Sequence, residues 1–101
     1  MTTTLNASIE TIRNSYQYLS NEYGVKRVGI FGSIAKGSDR TDSDLDLVIE
    51  FSKPIGLKFI DLTEYLETLF NRRVDILTAD GIENIRNTKV ADDIKRNIVY
   101  V

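Results

Sequence analysis

The side chains of this sequence suited to chemistry are acidic and few. Asp44 and Asp46 flank Leu45 in the run Asp44-Leu45-Asp46-Leu47-Val48-Ile49, and Asp75 stands in a second apolar run, Val74-Asp75-Ile76. Alternate residues of a strand point the same way with Cα atoms about 6.6 Å apart, so Asp44 and Asp46 share a face. A neighbouring parallel strand brings Asp75 beside them. Carboxylates at such range repel by about 2–3 kcal/mol per pair at an effective dielectric near ~20, and a cation or a proton must relieve that repulsion. The chain has no His and no Cys, which excludes zinc fingers, thiol nucleophiles, Ser-His-Asp triads and imidazole bases. Oxygen ligation of Mg²⁺, Mn²⁺ or Ca²⁺ remains, with proton transfer left to carboxylate, Lys or Tyr. Paired divalent ions about 3.5–4 Å apart clamp the attacking and leaving oxygens in phosphoryl and nucleotidyl transfer.

A second group lies upstream. Gly32-Ser33-Ile34-Ala35-Lys36-Gly37 directly follows a short apolar run. A strand that feeds a Gly-Ser turn and a short helix leaves N–H groups aimed outward, which suits a phosphate. Lys36 and Arg40 can neutralise a triphosphate, although a solvated surface charge is the plainer role for each. Asp39 and Asp42 read as turn formers. Other phosphate and metal motifs fail on missing parts. Gly37 is followed by Ser38 where a P-loop needs Lys. An EF-hand begun at Asp42 meets Leu47 and Lys53 where Gly and Glu are required. No dinucleotide fingerprint is present. The likeness of Asp44-Leu45-Asp46 to a haloacid-dehalogenase start fails because the acidic pair opens its strand instead of ending it.

These groups must be positioned by the rest of the chain. Leu5, Ile9, Ile12, Tyr16, Leu19 and Tyr23 alternate four and three apart, one apolar stripe on a helix that Gly24 stops. Tyr16 and Tyr23 lie on that stripe, whereas Tyr18 falls off it and is the better candidate for partner contact. Arg27 to Phe31 reads as a strand with Val28 and Ile30 facing one way. From Asp44 to Phe51 the period is two, with Leu45, Leu47, Ile49 and Phe51 on one face and Asp44, Asp46, Val48 and Glu50 on the other. Leu57 to Phe70 reads as a helix with Phe59, Leu62, Leu66, Leu69 and Phe70 inward. Arg73 to Leu77 is a third strand, and Thr78 to Gly81 a turn. Thr88 to Arg96 is a helix burying Val90, Ile94 and Ile98, and Ile98 to Val101 an edge strand.

The order α-β-β-α-β-α predicts an α/β (α+β) fold, a small mixed sheet with helices packed on one face. The second strand, its helix and the third strand form a β-α-β crossover, so those strands run parallel and start at one edge. An antiparallel first strand ends at that edge too. Gly32-Ser33, Asp44-Asp46 and Asp75 are therefore expected to meet. At 101 residues a single domain over 1–101 is expected. The formal charge of -2 argues against an extended nucleic-acid partner. No apolar run approaches membrane-spanning length and no signal peptide is evident, so a soluble cytoplasmic protein is expected.

Gly32-Ser33, ten intervening residues and Asp44-Leu45-Asp46 resemble the signature of the DNA polymerase β-like nucleotidyltransferase superfamily, with Gly29-Ile30-Phe31 before and Leu47-Val48-Ile49 after. With Val74-Asp75-Ile76 and the short length, the chain is most similar to the minimal nucleotidyltransferases. These are commonly antitoxin halves of two-component systems whose toxin is a HEPN-domain ribonuclease. The resemblance covers nearly the whole chain and implies a polymerase β palm-like fold. It implies that Gly32 and Ser33 form the nucleotide-phosphate loop. It further implies that Asp44 and Asp46 hold two Mg²⁺ ions and that Asp75 completes the metal site and helps deprotonate the acceptor. The implied reaction transfers AMP from ATP to a tyrosine hydroxyl of the toxin. Two alternatives stand beside it. One is a non-catalytic antitoxin that blocks its partner sterically. The other is a small-molecule nucleotidyltransferase of the aminoglycoside-resistance kind, which usually needs a second substrate domain. Oligomeric state is left open.

Overall fold

A computed structural model describes residues 4–38, 43–78, 81–82 and 84–101. The elements are α1 (Thr4–Tyr23), β1 (Val25–Phe31), α2 (Gly32–Lys36), β2 (Leu45–Phe51), α3 (Lys58–Phe70), β3 (Val74–Thr78), α4 (Thr88–Asn97) and β4 (Val99–Tyr100). The four strands form one mixed sheet in the order β3-β2-β1-β4. β1 pairs antiparallel with β2 and β4, and β2 pairs parallel with β3. The predicted crossover and hairpin relations are therefore present.

The larger core lies on the face built by Val28, Ile30, Leu45, Leu47 and Ile49, under Ile12 and Leu19 of α1 and Leu62 and Leu66 of α3. The period-two pattern of β2 produces this face directly, because alternation sends Leu45, Leu47 and Ile49 inward together. Val25 and Val28 both point into it although they are three apart. The β1–β2 register shifts between Val25 and Arg27, and such a bulge restores a side chain to the buried face. Gly24 ends α1 with φ of +66°, a left-handed cap that glycine adopts without strain; its N–H donates to the Ser20 carbonyl at 3.0 Å.

The expectation of helices on one face holds for α1 and α3 and needs extending for α4. A second, smaller cluster joins Val48 on the opposite face of the sheet to Ala91 and Ile82, with Ile94 and Ile98 packed against it. α4 therefore covers part of the face that carries Asp46. Its inward residue is Ala91, while Val90 is 46% exposed. Asn87 caps this helix, its Oδ1 accepting from the Lys89 and Val90 N–H groups, and Ala91, Ile94 and Ile98 form the inward set in place of Val90. Tyr16 also departs from expectation. It is 39% exposed, and its hydroxyl donates to the Lys26 carbonyl at 2.7 Å, so it spans from α1 to β1 at the rim of the core. Tyr18 is exposed, its ring 4.9 Å from Tyr65 and 6.1 Å from Tyr23. Part of the turn expected at Thr78 to Gly81 lies outside the described residues, as do Asp39 and Asp42. Among the described residues no helix is long and apolar enough to cross a membrane.

Candidate functional site

The sheet brings the sequence-distant acidic residues together at one edge. In the parallel β2–β3 register Leu45 pairs with Val74 and Asp46 with Asp75. Leu45 and Val74 are buried in the larger core, so strand alternation turns Asp46 and Asp75 to the other face, and Asp44 with them. Asp75 is exposed, and Asp44 and Asp46 are half-buried. The segment entering β2 is fastened from two sides. The Leu45 N–H donates to the Arg73 carbonyl at 2.8 Å, and Arg72 donates from Nη1 to the Ser43 carbonyl at 3.0 Å. The Val74 N–H donates to the Glu67 carboxylate at 3.2 Å, which ties β3 to α3 beside Asp75. Arg72 and Glu67 were not singled out from the sequence, since a charged residue that grips backbone leaves no pattern there.

The glycine loop lies against this group. β1 ends at Phe31, which pairs with Asp46, and the chain turns at Gly32 with φ of +73° into α2. A Cβ at Gly32 would run into the Asp46 carboxylate. Both the backbone conformation and the contact therefore require glycine here. Phe31 supplies no side-chain cap to α2, so the residue before the turn leaves its first N–H groups uncapped. Ser33 follows at the start of α2 and is half-buried.

Electrostatics register the crowding. Burial first, then the negative charges of Asp75 and Asp44, push the Asp46 carboxyl above its usual range. The three do not close into a cage: among the described residues no three acidic side chains are near enough together to ligate one ion. The donor set is nonetheless all oxygen, and its repulsion is of the kind a hard divalent cation relieves. In donor chemistry, Asp44, Asp46 and Asp75 fit Mg²⁺ or Mn²⁺.

Lys36 sits at the far end of α2, where its ammonium pairs with Asp93 of α4 at 3.2 Å. Arg40 lies outside the described residues. An open cavity of about 540 Å³ is lined by Ile49, Glu50, Phe51, Ser52, Lys53, Pro54 and Thr78. It opens at the opposite ends of β2 and β3 from Asp44 and Asp75 and shares no residue with the acidic group.

Comparison with known proteins agrees with this fold. A family model described as the nucleotidyltransferase domain matches residues 12–101. The chain belongs to that family and is a nucleotidyltransferase. Its relatives place it with the minimal nucleotidyltransferases. It is 37% identical over 95 residues to the protein adenylyltransferase MntA of Thermococcus cleftensis, covering 92% of each chain. It is 40% identical over 80 residues to a Methanocaldococcus jannaschii protein provisionally named a protein adenylyltransferase, covering 78% of this chain and 93% of the relative. Among solved structures, one described as a minimal nucleotidyltransferase superposes with a TM-score of 0.69 at 30% identity, covering 92% of each chain. A toxin-antitoxin structure with AMP-PNP shares the fold, with a TM-score of 0.63 at 16% identity, covering 96% of this chain and 71% of that one.

Proposed function

We propose that this chain is a single-domain, Mg²⁺-dependent protein adenylyltransferase. In this reading it moves AMP from ATP onto a tyrosine hydroxyl of a HEPN-domain toxin and thereby acts as its antitoxin. The observation that carries the reading is the contact of two motifs: the Gly32 backbone lies against the Asp46 carboxylate, which itself pairs in register with Asp75. The names of the curated relatives, protein adenylyltransferases, supply the protein acceptor. The AMP-PNP in a toxin-antitoxin structure of the same fold supports the nucleotide and the toxin.

In this reading the backbone at Gly32 and Ser33 receives the triphosphate, with Lys36 and Arg40 countering its charge. Asp44, Asp46 and Asp75 would hold metal ions between them, which when bound would supply positive charge against the phosphates and the attacking oxygen. The acceptor oxygen forms a bond to the α-phosphorus while the bond to the bridging oxygen breaks, and pyrophosphate leaves with that electron pair. Asp75 takes the hydroxyl proton. Its exposure at the sheet edge leaves it open to a hydroxyl carried by another protein.

The test is intact mass spectrometry of the protein encoded beside this chain, after incubation of both with ATP and Mg²⁺. A gain of one or more adenylyl units on the toxin is expected, and Asp44→Asn with Asp46→Asn removes it. No gain on a toxin that still binds the chain would favour steric blocking.

A further inference from the structure

We propose that Asp93 is a positioning residue that competes with nucleotide phosphate for Lys36, so that ATP binding opens a tie between α2 and α4. The inference rests on the assignment of Lys36 to the nucleotide site. Lys36 Nζ and Asp93 Oδ2 are 3.2 Å apart although 57 positions separate them. Asp93 is itself held: Asn97 donates from Nδ2 to its carbonyl at 2.8 Å and to its Oδ1 at 3.2 Å. Its carboxylate is thus aimed at Lys36 and not free to wander. Lys36 lies on the same five-residue helix as Gly32 and Ser33. α4 packs on the Val48 face of the sheet, the face that Asp44, Asp46 and Asp75 share.

Two consequences follow from charge and exposure. Asp93 occupies the one cation of α2. The pair is also easily opened. Its side chains are 46% and 59% exposed, and exposed ion pairs of this kind shift an equilibrium by about two- to fivefold. A triphosphate carries several charges and outcompetes one carboxylate for the ammonium. Lys36 then turns from Asp93 to phosphate, and α4 loses a polar tie to the loop while keeping its apolar contacts through Ala91.

Titration calorimetry with AMP-PNP and Mg²⁺ tests this. Asp93→Asn should bind about two- to fivefold more tightly than the unaltered chain, and Asp93→Glu should return to the original affinity. Lys36→Met should bind more weakly, and adding Asp93→Asn to it should change nothing further. An unchanged or weakened Asp93→Asn would overturn the proposal, as would a gain that persists without Lys36. Should Asp93→Asn disturb α4, the unaltered chain still decides: the Asp93 carboxyl carbon resonance should move when nucleotide is added, and a fixed resonance would overturn the proposal. If the unaltered chain binds no nucleotide, the assignment of the nucleotide site falls with it; if it binds and only Asp93→Asn is silent, this inference alone falls.

Discussion

Asp46 is held in a place that folding alone disfavours. Its carboxyl is pushed up by burial and by the charges of Asp75 and Asp44. Without metal, the folded chain thus binds a proton at a pH where an unfolded aspartate, with a pKa near ~3.9, has already lost it. The stability this gives is complete below the unfolded pKa and is lost as pH rises through the folded one. Asp46→Asn should therefore match the unaltered chain in acid and become the more stable of the two as pH rises. Urea melts in chelator at several pH values would check the sign. Mg²⁺ should raise the melting temperature of the unaltered chain and leave that of Asp44→Asn with Asp46→Asn unmoved, because only a state that binds the ion gains from it. Gly32→Ala meets two penalties, a left-handed φ of +73° and collision with Asp46. A loss of about 1–3 kcal/mol is expected, measurable by chemical denaturation, together with loss of nucleotide binding.

At the scale of elements, the strands were the most legible part. Strict alternation in β2 assigned both faces, and the crossover rule fixed β3 parallel to it, so the meeting of Asp44, Asp46 and Asp75 could be read from order and period alone. α4 was less legible. Its apolar residues are sparse, and Val90, Ala91, Ile94 and Ile98 fit two stripes. Packing against Val48 and Ile82 decides between them, and that is no signal on the helix itself. Substitutions separate the cases. Leu66→Ala removes a side chain that is 1% exposed in the larger core and should cost about 2–5 kcal/mol. Val90→Ala on the solvent side of α4 should change stability by less than about 0.5 kcal/mol. Equal losses in the two melts would mean that α4 is seated differently.

For the whole molecule, two layers on one sheet serve one edge. α1 and α3 pack on the Leu47 face, and among the described residues α4 with Ile82 and Ile85 covers part of the Asp46 face. That division explains how a chain of 101 residues carries both a core and a site. The proposed partner, by contrast, cannot be read from periodicity or charge; it rests on the family resemblance and on the names of the relatives. The Lys36–Asp93 pair was equally illegible, since nothing in either segment announces the other. The most direct measurement of the central claim is the anomalous signal of Mn²⁺ in crystals grown with AMP-PNP. It should place the ion in contact with carboxylate oxygens of Asp44 and Asp46, with the nucleotide phosphates against Gly32 and Ser33. Manganese bound elsewhere, or phosphates seated in the cavity beside Lys53 and Thr78, would contradict it.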